Sequence, residues 1–216
     1  MRVTIGLPLY AGLESQATGA TLRMIARTAR EGIDLIPEVR VRLFVSQARA
    51  QIAHAAIENG SDYLFFLGED IVPEEDTLLK LLSHDLDIVS GLYYVRHGFT
   101  LPMVYDFDEK RRRYVFTVKD LSKPLVEVDA CGMDCMLIRT SILKEFDLGR
   151  LWEWHGYMGD DMTFCTQVRR KGHKIYLDTT CKVGHIQQEK RILPEDGKGF
   201  TLYDLRRKGR WLRTRT

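Results

Sequence analysis

The segment Tyr63-Leu64-Phe65-Phe66-Leu67 constrains this chain more than any other, because it offers water no face at all. An alternating pattern would mark a half-exposed strand. A continuous apolar run of this length marks a strand buried on both faces, as in a parallel sheet covered by helices. Its surroundings fit that reading. Arg2–Leu9 is a second strand, and Leu13–Glu31 a helix ending at Gly32. Ser46 precedes a helix over Gln47–Asn59 as a candidate cap, with Gly60 closing it. Pro73-Glu74-Glu75-Asp76 opens another helix with proline and acids in the first turn, and Asp87–Val95 is the next strand. Strand and helix alternating at this spacing predict an α/β fold with a mostly parallel central sheet flanked by helices.

The pattern changes after Arg96. Met103–Phe107 and Tyr114–Val118 are strand-like runs separated by the charged stretch 108–113, which predicts an exposed hairpin. An apolar segment, Ala130–Ile138, follows, then a helix over Gly159–Gly172 and a strand or strand pair over Lys174–Ile186. This smaller, mixed or antiparallel part has no linker before it, so residues 1–186 are read as one domain and 187–216 as a basic C-terminal extension. A chain of 216 residues buries enough surface to fold without disulfide or metal staples. Cys131 and Cys135 are spaced poorly for zinc; on one continuous strand they would share a face as small core residues.

The net charge of +2 does not call for a polyanionic partner. Only the extension is strongly basic: Leu205–Thr216 holds six Lys or Arg residues around Trp211 and no acid. A solvated tail is the plain reading, and contact with anionic lipid headgroups, peripheral to a membrane, or with a phosphorylated acceptor is the functional one. No recognition motif accompanies the patch, so nucleic acid is not expected. The first strand lacks the apolar core of a signal peptide and no run reaches a membrane span, so the expected location is cytoplasmic.

Three segments carry chemistry. The first is Gly68-Glu69-Asp70, directly after the apolar strand. In open α/β sheets, ligands bind beyond the carboxyl ends of the strands, and carboxylates there suit Mg²⁺ or Mn²⁺ when a substrate brings phosphates. An acidic pair before a helix serves equally as loop solvation and helix-end charge. The second is Gly159-Asp160-Asp161-Met162-Thr163-Phe164-Cys165, opening the late helix. A carboxylate there caps the helix or takes a proton from a hydroxyl. The third is Val183-Gly184-His185-Ile186, whose imidazole is either a structural group or a Mn²⁺ ligand.

In this order the segments resemble GT-A glycosyltransferases, the family 2-like enzymes above all. The triplet resembles the family's Asp-x-Asp, with Asp70 at the metal-binding position and Gly68 where the first acid would stand. Gly159–Cys165 resembles the Gly-Glu-Asp-x-x-Phe-Cys segment, which implies Asp161 as catalytic base of an inverting enzyme, with Asp160 in place of Glu. Val-Gly-His implies His185 as a second metal ligand. Val3–Tyr10 resembles the first strand and the loop at the nucleotide's edge, implicating Pro8 and Tyr10. Ala130–Arg139 resembles the segment beside the donor sugar. There Gly132 would let a ligand approach the backbone, and Asp134 would bond sugar hydroxyls. Arg49 stands where relatives carry Ala-Arg-Asn and would meet a donor phosphate. Trp152, Trp154 and Tyr157 suit an aromatic lid over the acceptor, with Trp154 as the assigned contact. The resemblance thus implies transfer of a sugar from a nucleoside diphosphate donor to a carbohydrate, lipid-linked or protein acceptor, with Mn²⁺ or Mg²⁺ as cofactor. A nucleotidyltransferase would need a glycine-rich phosphate loop, which Gly6–Gly12 supplies poorly. A degenerate nucleotide-sugar-binding module would explain Gly68.

Overall fold

The computed structural model describes residues 1–95, 101–117, 119–155, 158–187 and 190–192. In chain order the elements are β1 (Arg2–Leu9), α1 (Ser15–Ala29), β2 (Asp34–Val41), α2 (Val45–Glu58), β3 (Tyr63–Leu67), β4 (Ile71–Val72) and α3 (Thr77–Ser83). Next come β5 (Ile88–Leu92), β6 (Val104–Asp108), β7 (Arg113–Phe116), β8 (Leu125–Val128), β9 (Ala130–Cys131) and β10 (Cys135–Arg139). Last are α4 (Thr140–Leu143), α5 (Leu148–Leu151), α6 (Asp160–Arg170), β11 (Ile175–Lys182), β12 (Gly184–Gln187) and β13 (Lys190–Ile192).

A seven-stranded sheet of order β2-β1-β3-β10-β5-β11-β8 forms the centre. β3 lies inside it and is buried at every residue, as its sequence requires. Its side chains alternate between two cores. Leu64 and Phe66 join α2, α5 and α6 on one face, while Tyr63, Phe65 and Leu67 join Met24 of α1 and Leu78 and Leu81 of α3 on the other. Gly32 and Gly60, just past α1 and α2, have φ of 75° and 64°, the left-handed geometry that ends a helix at little cost only in glycine.

The fold is α/β, but the sheet is mixed rather than mostly parallel. β1 pairs in parallel with β2 and β3, and β5 with β11. β10 is antiparallel to both β3 and β5, and β8 is antiparallel to β11. The expected continuous strand Ala130–Ile138 is broken at 132–134, so β9 leaves the central sheet to pair with β6. That break also separates the two cysteines, with Cys131 packed in one core and Cys135 in the other. The hairpin is present as β6 and β7, paired from Tyr105↔Phe116 to Asp108↔Arg113.

Two boundaries differ from expectation. α2 begins at Val45 with Phe44 as its capping residue, so Ser46 lies inside the helix. The acids after Pro73 precede α3, which starts at Thr77. β2, with Pro37 at its centre, escapes sequence detection; as an edge strand it tolerates a residue without an N–H. The basic extension beyond 192 lies outside the described residues. Among the described residues no helix is long and apolar enough to cross a membrane.

Candidate functional site

A cavity of about 440 Å³ opens beyond the carboxyl ends of β1 and β3. Pro8 and Tyr10 come from the end of β1, and Gly68, Glu69 and Asp70 from the end of β3. Arg49 of α2, Asp134 ahead of β10, and Asp160 and Asp161 at the start of α6 complete its polar wall. Eight of the ten residues singled out from sequence therefore line one cavity or, for His185, touch a residue that does.

Topology explains why Asp134 is there. β10 runs antiparallel to β3 with Cys135 opposite Leu67. The residue before β10 therefore sits beside the residue after β3, and Gly68 N–H donates to the Asp134 carbonyl at 2.9 Å. A Cβ on Gly68 would lie 2.8 Å from the Asp134 Cβ and 3.2 Å from Ile71 Cγ1. A side chain at position 68 would crowd Asp134, whose carboxyl carbon lies 3.0 Å from that Cβ position and whose carboxylate faces the same cavity. Glu69 does not fill the gap. Its Oε2 accepts N–H bonds from Tyr10, Ala11 and Gly12 at 2.8, 3.0 and 3.3 Å, tying the loop after β1 to the triplet.

Arg49 is 3% exposed and is not held open for a phosphate. One Nη donates to Asp160, and the other donates to Asp134 at 2.9 Å. Burial alone would lower its pKa, but Asp160 and Asp134 raise it further, so it remains charged. This guanidinium joins the start of α6 to the β9–β10 connection, which are 26 residues apart in sequence (160 minus 134). The expected contact with a donor phosphate thus falls on a guanidinium that lines the cavity but is already paired with two carboxylates.

Asp161, half-buried beside this pair, behaves differently. Burial raises its carboxyl pKa; Arg49 opposes, Asp160 adds to the rise, and it settles at about 6. Its Oδ1 accepts the Met162 N–H at 2.8 Å. Asp161 also lines a second cavity of about 460 Å³, walled by the β6–β7 hairpin and α6. It is thus a carboxylate shared by two cavities.

His185 is 3% exposed and reaches the site through strand pairing, because β12 runs antiparallel to β4 with His185 opposite Ile71. Its Nδ1 lies 2.7 Å from the Tyr94 carbonyl, which can only accept, so Nδ1 carries the proton. Nε2 is buried without a hydrogen-bond partner and faces Asp70 Oδ1 at 3.5 Å. Among the described residues no three His, Cys, Asp or Glu side chains form a metal-binding group. A carboxylate and an imidazole this close would suit a hard cation that drew its other ligands from phosphate and water.

Two expected contacts are corrected. The space over Gly132 is taken by the Tyr93 phenol, since a Cβ there would lie 2.0 Å from the Tyr93 hydroxyl. Gly132 thus admits a core side chain rather than a ligand. That same hydroxyl accepts the Asp134 N–H at 3.1 Å, and the Tyr93 ring meets His185 edge-on at 5.3 Å. The aromatic lid also divides. Trp152 is a core residue, stacked on Phe164 at 5.7 Å. Trp154 is 61% exposed and lines neither cavity, and Tyr157 lies outside the described residues. Sequence reading missed Tyr93, and also Phe44, which is 78% exposed and lines the first cavity with the exposed Tyr10. An apolar aromatic exposed just before a helix is a visible signal, but only the fold sets it across from Tyr10.

No family profile and no curated protein sequence matches this chain. Among solved structures it is similar in fold to A197 from STIV, with a TM-score of 0.59 over 90% of this chain and 91% of that one, at 20% identity.

Proposed function

We propose that this chain is a metal-dependent glycosyltransferase of GT-A type, moving a sugar from a nucleoside diphosphate donor to an acceptor hydroxyl with inversion. The observation that carries the reading is Asp161, a half-buried carboxylate with a raised pKa that lines both cavities. Donor and acceptor in separate cavities would meet at that side chain.

The first cavity suits the donor. Tyr10 and Phe44 offer exposed rings for a nucleobase. Its wall carries Glu69, Asp70, Asp134, Asp160 and Asp161 against the already paired Arg49. A bare diphosphate would be repelled there, so the donor would enter with a divalent cation, which Asp70 and His185 would hold. When bound, that cation neutralises charge developing on the leaving diphosphate. Asp134 is in place to bond donor hydroxyls, and Arg49 keeps it and Asp160 from swinging toward the cation. Asp161 accepts the proton of the attacking hydroxyl as the new C–O bond forms at the anomeric carbon. The bond to the diphosphate breaks on the opposite face, and its electron pair leaves with the nucleoside diphosphate.

A donor panel with Mn²⁺ or Mg²⁺, read as nucleoside diphosphate release, tests this. Release should be lost in Asp161→Asn while donor binding persists; equal turnover in both proteins removes the base assignment. A binding module without turnover is favoured by one observation, the commitment of Glu69 to the backbone of 10–12. It predicts cation-dependent nucleotide binding and no release with any donor.

A further inference from the structure

The two cavities that meet at Asp161 have opposite electrostatic character. The first is lined by carboxylates. The second carries Arg112 from the hairpin turn, Arg113 from the start of β7 and Arg170 from the end of α6, and Asp161 is its one carboxylate among the described residues. None of these three arginines makes an ion pair among the described residues, although the neighbouring arginines do: Arg111 pairs with Asp108 at 2.8 Å and Arg169 with Asp129 at 3.0 Å. Asp108 and Asp129 are thus taken, and three guanidinium groups are left around an open space of about 460 Å³, with Glu109 outside it on the wall of a smaller adjoining cavity. Arg112 adopts φ of 50°, a left-handed geometry in which asparagine or glycine is cheaper. The floor between the arginines and Asp161 is ring-rich, with Tyr105, Phe107 and Tyr114 from the hairpin. A smaller adjoining cavity of about 280 Å³ shares Arg112, Tyr114 and Arg170.

We propose that the second cavity binds an acceptor bearing a phosphate group, held by Arg112, Arg113 and Arg170, while its ring lies on the hairpin aromatics and presents a hydroxyl to Asp161. This rests on the glycosyl-transfer reading for the role of the hydroxyl, but not for the binding of the phosphate. Guanidinium groups match phosphate oxygens in paired hydrogen bonds, and rings stack on sugars and arginines alike. The opposite signs of the two cavities also sort the substrates: a cation-borne donor is favoured in one and a bare phosphate in the other.

The test is titration calorimetry at low salt with glucose 6-phosphate, glucose and inorganic phosphate, on wild type, Arg112→Gln/Arg113→Gln and Arg170→Gln. Glucose 6-phosphate should bind at least about tenfold more tightly than glucose, the worth of one or two charge-assisted bonds. Both variants should lose most of that advantage while melting as wild type does, since the three side chains are exposed. Equal affinity for the two sugars, or an advantage that survives both variants, overturns the proposal. Sedimentation with phosphatidylcholine vesicles, with and without phosphatidic acid, identifies the source of the phosphate: arginine-dependent capture marks a lipid headgroup, and its absence alongside sugar-phosphate binding marks a soluble acceptor. Arginine-dependent binding without any donor turnover would uphold this site and remove the enzymatic reading. Turnover that neutral and phosphorylated acceptors stimulate equally would do the reverse.

Discussion

Replacing Asp161 by Asn should abolish sugar transfer and at the same time stabilise the protein. Burial raises the Asp161 carboxyl from an ordinary value of 3.8 to about 6 against the opposing pull of Arg49. A carboxyl whose folded pKa is raised favours the folded state when protonated. That contribution is fully present below the unfolded value of 3.8 and is lost as pH rises through about 6. At pH 8 the ionised group therefore costs the fold on the order of 3 kcal/mol, from a shift of about 2 units at about 1.4 kcal/mol each. Asn has the shape of the protonated acid and keeps an oxygen for the Met162 N–H now bonded at 2.8 Å. At pH 8 the variant should melt several degrees higher, since a chain of this size gains roughly 2–4 °C per kcal/mol. Near pH 3.5 the two proteins should melt together. Calorimetric or fluorescence melting at both pH values decides the matter. A variant less stable than wild type at pH 8, or one whose advantage is the same at both, would refute the reasoning, because the benefit would not come from an ionised carboxylate.

The same group sets a pH profile: nucleoside diphosphate release should rise with pH through about 6, and a profile flat between pH 5 and 7 would exclude Asp161 as the base. Gly68→Ala should cost about 1–3 kcal/mol in urea denaturation through overpacking, because its Cβ would lie 2.8 Å from that of Asp134; full stability would show that the connection before β10 yields easily. Arg49→Met leaves Asp160 and Asp134 without their buried partner and should destabilise by about 3–5 kcal/mol, whereas a near-neutral result would mean those carboxylates find water. Asp178→Ala removes acceptors for Thr180 N–H, Thr180 Oγ–H, Cys181 N–H and His84 Nε2 at 2.8, 2.6, 3.1 and 2.9 Å. Burial by itself would raise the Asp178 pKa, but these bonds hold it below 3.8. Its contribution is thus present above that value and lost as pH falls through the lower one, so the destabilisation should shrink in strong acid. Asp70→Ala should weaken Mn²⁺-dependent donor binding, and an unchanged metal titration would remove it as a ligand.

Local pattern was enough to read the apolar β3, the acids in the first turn of α6 and the hairpin with its charged turn, because each depends on residues adjacent in sequence. The ordered resemblance to GT-A enzymes singled out positions 70, 161 and 185; the first two line one cavity and the third faces Asp70. Local pattern failed where a role depends on a remote neighbour. Arg49 looks like any surface arginine until α6 is packed beside it. Trp152 and Trp154 look alike until one of them meets Phe66 and Phe164. Gly132 looks like an opening until Tyr93 fills it.

The amino-acid order alone marked the buried strand β3 and the long helices, though not β2, and where carboxylates follow a strand or open a helix, since side-chain periodicity and helix-end charge act over a few residues. Only the tertiary structure decided that Asp134 stands beside Gly68, that Glu69 is bound to backbone, and that five acids line one cavity while three arginines without an ion pair among the described residues line the other. The place of Asp134 follows from β10 entering the sheet antiparallel between β3 and β5, and that of Glu69 from β1 lying parallel beside β3. Strand direction and register are settled by contacts between residues nearly 70 positions apart, such as Leu67 and Cys135, and no local spacing encodes them.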